Sequence, residues 1–327
     1  RAKIGEKHSD WLHILKWVPQ GSILGPLLFN IFLNDLYYLI TDCQLYNYAD
    51  DNTLSFAHED PCSLQTHLEH TASEAIQWFN ENHMLANPDK FQAIVLCPSP
   101  RDTCNINFDV AGNCISSQDH VSLLGVELDN KLKFNLHISN LCRKAARQLN
   151  VLKRFSRLLD TAAKMCIFGS FILSNFSYCP LVWHFCGKTL SNQMEKIQER
   201  GLRFVYNDAD SSYLSLLSRA DLPTLNISRL RVLATEVFKA LNGQGPDYLQ
   251  SLFNQNLSVR NQRHFKFLTL PSVRGVTFGK KSIIFEGTNI WNKLPNEIKS
   301  AVSLAEFKHL LATWHFEDYC QCLGCTS

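Results

Sequence analysis

The chain of 327 residues has almost no net charge, with 32 lysines and arginines against 30 aspartates and glutamates, a formal +2. Total charge therefore says nothing about partners, and only its distribution can. Sustained apolar runs are also missing. Met165 to Gly187 holds no Lys, Arg, Asp or Glu over 23 residues, but Ser170, Ser174, Asn175, Ser177, Pro180 and His184 interrupt it. That pattern predicts a buried helix and a turn, not a membrane span. No signal peptide opens the sequence, and the twelve cysteines follow no disulfide framework: nine stand singly between Cys43 and Cys186. Such usage is expected in a reducing, intracellular setting, nuclear or cytoplasmic. Internal repeats and low-complexity segments are absent, which excludes solenoids and disordered arrays. The sequence does not start with Met, and its first recognisable motif begins at Trp17. It reads as the back part of something longer.

What remains is a folded chain, 45% hydrophobic and 19% charged. Tyr48-Ala49-Asp50-Asp51 lies between two β-prone flanks, Leu45 to Tyr48 and Thr53 to Ala57. The pattern predicts a hairpin with two aspartates at its tip. Neighbouring strand residues point to opposite faces, so both carboxylates meet one ion only if the turn twists them together. Two close carboxylates suit a hard, oxygen-preferring cation, Mg²⁺ above all. The plainer reading is a solvated Asp-Asp turn.

Upstream, Pro19-Gln20-Gly21-Ser22-Ile23-Leu24-Gly25-Pro26-Leu27-Leu28-Phe29 is a Pro/Gly-punctuated turn running into an apolar helix, Leu27 to Leu39. Gly21 and Gly25 let backbone approach a ligand closely, and Gln20 offers a donor and an acceptor there. Downstream, Asp60-Pro61 opens a helix with Leu64, Leu68, Ala72, Ala75 and Phe79 on one face, ending at Asn87-Pro88. A strand is expected at Ala93 to Leu96, a hairpin around Ala111-Gly112, and a strand from Val121 to Leu128.

From Lys131 to Lys164 nine lysines and arginines face one acid, Asp160. Within Leu136 to Leu159, Ile138, Leu141, Ala145, Leu149, Leu152, Phe155 and Leu159 recur at helical spacing, leaving Arg143, Arg147, Arg154 and Arg157 opposite. Four arginines without interleaved acids repel one another unless an anion lies between them, and phosphates fit that need. A solvated charged face is the plainer alternative. Further helices are expected at Thr161 to Asn175, Ser191 to Tyr206 and Ile227 to Leu241. Ser282 to Trp291 reads as β-prone or irregular, and Ser303-Leu304-Ala305-Glu306 as a capping box. In the tail, His315, Cys320, Cys322 and Cys325 supply Zn²⁺-type ligands at a spacing unlike a finger or ribbon; frayed terminal thiols are the other reading.

The Pro19 to Phe29 segment together with Tyr48-Ala49-Asp50-Asp51 resembles the reverse transcriptase domain of non-LTR (LINE-type) retrotransposons, in the family's order and at a suitable spacing. Trp78 to Lys90, and the later Tyr178-Cys179-Pro180-Leu181-Val182-Trp183 and Ile290 to Pro295, resemble downstream segments, so the likeness covers almost the whole chain. The resemblance implies an α+β fold: a partial polymerase palm of antiparallel strands with packed helices over residues 1–130, a helical thumb-like region over 131–245, and a C-terminal region over 246–327 with the Cys-rich tail. It implies RNA-directed DNA polymerase activity, with two Mg²⁺ ions on Asp50 and Asp51, an RNA template, a DNA primer and deoxynucleoside triphosphates. Pro19, Gln20 and Gly21 would lie against template and nucleotide, Lys90 near the phosphates, and Leu124-Gly125 would support the primer end. Arg143, Arg147, Arg154 and Arg157 would then grip the duplex backbone. The family departs at two points. It uses a third carboxylate from an upstream strand, where the only aspartate here, Asp10, sits in no matching context; and it usually has Gly where this chain has Trp17. The chain is therefore expected not to polymerise by itself. The alternatives are a catalytically dead nucleic-acid-binding remnant and a vestigial structural or interaction protein.

Overall fold

The computed structural model describes residues 3–11, 21–97, 105–255, 267–273, 275 and 279–316. It divides into two compact units, one of residues 1–95 and 102–119, the other of residues 96–101 and 120–327.

Unit 1 combines short antiparallel hairpins with two helices. β1 (Lys3–Ile4) pairs with β2 (Lys7–His8). α1 (Gly25–Leu39) starts where Pro26 supplies a pre-set φ at its first turn and the Ser22 hydroxyl accepts from the Gly25 N–H at 3.0 Å. β3 (Gln44–Tyr48) and β4 (Asp51–Ser55) form a two-stranded hairpin. α2 (Pro61–Glu81) opens as its Asp-Pro pair predicts: the Asp60 carboxylate accepts from the Ser63 N–H at 2.8 Å. It ends at Glu81, short of Asn87-Pro88, where His83 turns to a φ of +59°. The core is small: Leu36, Ile40, Cys43 and Ala75, with Leu45, Leu54, Phe56, Leu68, Trp78 and Phe79 packed against it.

A second hairpin in unit 1, β5 (Asn107–Val110) with β6 (Asn113–Ser116), turns at Ala111-Gly112, both with positive φ, as expected. One face of α2 covers its backbone edge. Gln65 donates to the Asn107 carbonyl, Glu69 accepts from the Asp109 N–H and Ser73 accepts from the Ala111 N–H. Helical spacing of four residues on α2 thus matches the two-residue repeat of a strand edge, protecting it from further pairing. The strand expected at Ala93 to Leu96 reduces to a single bridge, Ala93 to Ser117.

Unit 2 begins with β7 (His120–Leu123) and β8 (Val126–Asp129). The single strand expected from Val121 to Leu128 is instead two paired strands, because Leu124 and Gly125 turn the chain back with φ of +48° and +79°. Helices follow: α3 (Asn135–Arg154), α4 (Thr161–Ile167), α5 (Lys188–Tyr206), α6 (Tyr213–Ala220), α7 (Leu225–Leu241), α8 (Asp247–Gln250), α9 (Ile283–Lys293), α10 (Asn296–Lys299) and α11 (Leu304–Thr313). Between α4 and α5 a π-turn, Phe168–Ile172, and a 3₁₀ turn, Leu173–Phe176, replace the single helix expected to run to Asn175. α9 overturns the irregular reading of Ser282 to Trp291: Ser282 caps it, accepting from the Phe285 N–H at 3.3 Å. The capping box at Ser303 holds; its hydroxyl accepts from the Glu306 N–H, while the Glu306 carboxylate accepts from the Val302 N–H.

Two clusters form the core of unit 2. The first joins Ile138, Ala145, Leu149 and Leu152 of α3 to Phe168, Trp183, Met194 and Leu202. The second joins Leu233, Val237 and Phe238 of α7 to Trp291, Phe307 and Leu311. Close approach is built in at Gly201, where an added Cβ would lie 2.0 Å from the Phe168 ring. A partly buried polar clamp ties α5, α6 and α7 together: the Glu195 carboxylate accepts from the Tyr213 hydroxyl and from the Leu225 and Asn226 N–H groups at the start of α7. Among the described residues no helix is long and apolar enough to cross a membrane.

Candidate metal-binding hairpin and nucleic-acid surface

The β3–β4 hairpin closes on the Tyr48–Asp51 pair, leaving Ala49 and Asp50 as a two-residue loop. Ala49 carries the positive φ, +54°, that such a tight loop requires. The Asn47 amide donates to Asn52 at 2.5 Å, and the Asn52 amide donates to the Asp50 carbonyl at 3.1 Å, bracing the turn. Register then decides the faces. Leu45 and Leu54 oppose each other on the core side, so Tyr46, Tyr48, Asp51 and Thr53 share the other. Asp50 and Asp51 are both exposed at the tip, and among the described residues neither carboxylate has a hydrogen-bond or ion-pair partner. Tyr46 and Tyr48, half or more exposed beside Asp51, are site neighbours that the sequence reading missed; strict alternation along the strand was the signal for them.

Two exposed carboxylates are the donor type that Mg²⁺ selects. In kind they fit, while in number they fall short of three: among the described residues no three His, Cys, Asp or Glu side chains gather. Pro19 and Gln20 lie outside the described residues. Gly21 is exposed at φ +81° with open space around it, so backbone there is approachable. Lys90 ends a single 3₁₀ turn, Pro88–Lys90, and is exposed. Cys320, Cys322 and Cys325 also lie outside the described residues, His315 is exposed, and among the described residues no cluster of zinc ligands gathers.

In unit 2, α3 separates its faces sharply. Ile138, Ala145, Leu149 and Leu152 are buried, while Arg143, Arg147 and Arg154 are exposed, as is Arg157 in the 3₁₀ turn that follows. Phe155, expected inward, is half exposed because α3 ends at Arg154 and the chain turns. Among the described residues none of the four arginines forms an ion pair. Arg143 donates only to Asn140 at 3.2 Å, and the Arg147 Nε to the Arg143 carbonyl at 3.4 Å. At the start of α3 an open cavity of about 430 Å³ is lined by His120, Asp129, Lys131, Lys133, Asn135 and Ser139. The Asp129 carboxylate is engaged by the N–H groups of Lys131, Lys133 and Phe134, fixing the loop into the helix. The basic character therefore runs from this cavity along the helix.

Residues 3–128 match the family described as reverse transcriptase (RNA-dependent DNA polymerase). The chain is 25% identical over 202 residues to the probable RNA-directed DNA polymerase from transposon BS of Drosophila melanogaster, covering 58% of this chain and 22% of that protein. It is 24% identical over 196 residues to the RNA-directed DNA polymerase from mobile element jockey of the same fly (57% and 21%). Identity is also 24%, over 200 residues, to the probable RNA-directed DNA polymerase from transposon X-element (58% and 21%). The chain spans about a fifth of the length of these curated relatives. No solved structure matches it. The paired-aspartate hairpin lies inside the matched span, so this part of the chain is similar to reverse transcriptases and to the RNA-directed DNA polymerases of transposons.

Proposed function

We propose that this chain supplies the metal-binding hairpin and the duplex-gripping helix of an RNA-directed DNA polymerase acting on an RNA template, a DNA primer and deoxynucleoside triphosphates. The observation that carries the reading is the tight β3–β4 loop that presents Asp50 and Asp51 within the matched span. Residues 1–130 would act as part of a palm, 131–245 as a thumb-like region, and 246–327 as a C-terminal region. Asp50 and Asp51 would hold divalent ions; the chemistry that Mg²⁺ supplies when bound is acidification of the primer 3′-hydroxyl and neutralisation of charge on the leaving pyrophosphate. Pro19, Gln20 and Gly21 would line the template and nucleotide, Lys90 would approach phosphates, and the Leu124–Gly125 tip would support the primer end. Arg143, Arg147, Arg154 and Arg157 would hold the duplex through its phosphates.

A second reading, a remnant that binds nucleic acid without catalysis, is favoured by one contrast: the arginine row is free of ion pairs, whereas the described residues supply two of three carboxylates. Primer extension by this chain in Mg²⁺ is expected to yield no product. Template-dependent synthesis that Asp50→Ala abolishes would show instead that the chain carries a working site. Binding to an RNA–DNA duplex is expected to weaken with salt. Each of the four arginines replaced by Ala should lower the slope of log K against log salt by about 1. A slope unmoved by all four replacements would leave a structural or interaction protein as the better description.

A further inference from the structure

The turn between β7 and β8 is made in an unusual way. Two-residue hairpin loops of this shape need positive φ at both positions, which Asn-Gly and Gly-Gly supply easily. Here the first position is Leu124, at φ +48°, a conformation in which a leucine Cβ crowds its own carbonyl. Burial does not compensate, because Leu124 is 41% exposed. The compensation comes from Tyr178, 54 residues later, whose hydroxyl donates to the Leu124 carbonyl at 2.5 Å. Its ring lies over Gly125, with Cε1 3.7 Å from where a Cβ would stand.

Tyr178 is itself held from the core. The indole Nε1 of Trp183, which is fully buried, donates to the Tyr178 carbonyl at 3.2 Å, and the Arg229 guanidinium lies 5.4 Å above the Trp183 ring. Yet Tyr178 is 51% exposed, so its ring and the Leu124 side chain together make an apolar ledge at the surface. A strained residue kept exposed and fastened to a rigid core is a device for presentation. The ledge belongs to the same compact unit as the arginine row of α3, and β8, which follows the tip, packs against that helix. Arginines hold phosphates, and an apolar ledge suits the one part of a duplex whose base face is not stacked, its end.

We infer that Tyr178 is a positioning residue that locks the Leu124–Gly125 tip so that its apolar ledge caps the end of a primer strand. The inference rests on the reading of that tip as primer support. It is tested with the full chain by fluorescence anisotropy on two probes: an RNA–DNA duplex with a recessed DNA 3′ end, and the same duplex closed by loops at both ends. The wild-type chain is expected to prefer the recessed end. Tyr178→Phe, which removes only the donor, should lower that preference about fivefold, the loss typical of one neutral hydrogen bond, with little change in Tm. Leu124→Asn, which keeps the left-handed turn but removes the apolar tip, should also lower it. If Tyr178→Phe keeps the preference, or lowers Tm and both affinities alike, the tie is structural only and the inference is overturned while primer support stands. Equal wild-type binding to both probes would sink the reading of primer support and the inference with it.

Discussion

Helix α1 of unit 1 and helix α5 of unit 2 solve the same problem differently. α5 buries Met194, Ile197, Gln198, Gly201, Leu202 and Val205 and turns Gln193, Lys196 and Arg200 outward, the division expected of a surface helix. α1 is apolar nearly all round but buries only Gly25, Leu33 and Leu36; Leu27, Leu28, Ile31, Phe32 and Tyr38 are exposed. A helix with that composition is written for cover on several faces. The β3–β4 hairpin repeats the pattern, since two strands alone are marginal and depend on what packs against them. The carboxylates thus sit in the thinly packed unit and the arginine row on the densely packed one. On the proposed reading, carboxylates that must meet a substrate need support from several sides, whereas a helix that grips phosphates needs one packed face and one charged face.

Matched truncations probe that contrast most strongly. Leu202 and Leu36 are equally buried, at 0% and 1% exposed, but Leu202 lies within the larger cluster. Leu202→Ala is expected to destabilise unit 2 by about 4 kcal/mol, because dense surroundings cannot collapse into the cavity, and Leu36→Ala to destabilise unit 1 by about 2.5 kcal/mol. Hydrogen exchange of α5 and α1 amides reads each unit separately. Equal losses would show that the smaller core is as rigid as the larger.

How much of this was legible in the sequence follows the same divide. α2, α7 and α11, each with an apolar stripe and a side-chain cap, and α3 and α5, with the stripe alone, could be read directly, because periodicity and capping are written within each segment. α9 was misread since Ile283, Ile284 and Phe285 favour strands; packing decided instead, with Gly287 so close to Val237 and Phe253 that a Cβ would meet them at 2.9 and 3.1 Å. The β7–β8 turn was hidden because Leu is not a turn former, and the residue that holds it is far along the chain. At the site, the Asp50–Asp51 hairpin was legible from its β-prone flanks. Alternation puts Tyr46 and Tyr48 on one face of β3, but that Asp51 joins them there was not legible, since it depends on register.

Acid should separate the units by a smaller step. Burial, and then the nearby Arg229, push the His184 imidazole down to about 3 from 6.5, and burial also lowers His137 against the opposing pull of Glu127. The folded chain therefore binds fewer protons than the unfolded chain between those values, so stability is present above pH 6.5 and is lost as pH falls through the window toward 3. Unit 2 should lose about 1.4 kcal/mol per pH unit for His184 alone. Urea midpoints followed by hydrogen exchange from pH 7 to 4 would show it, and His184→Leu should flatten the dependence. An unchanged dependence in that variant would place the acid sensitivity elsewhere.

The smallest expected effect is the one that bears most on α1. Ile31 is 61% exposed on that helix. If its outward face carries no cover in this chain, Ile31→Lys removes no buried contact, and a lysine stem lies along a helix at little cost, so stability should change by less than about 0.5 kcal/mol. The same substitution would be severe where a helix face is packed, because it would bury a charge. Urea unfolding read through α1 exchange distinguishes the two. A loss of more than about 2 kcal/mol would mean that Ile31 is covered in solution and that unit 1 is completed by contacts on the exposed face of α1. A negligible loss, accompanied by higher solubility, would confine the support of the two carboxylates to the small cluster of Leu36, Ile40, Cys43 and Ala75.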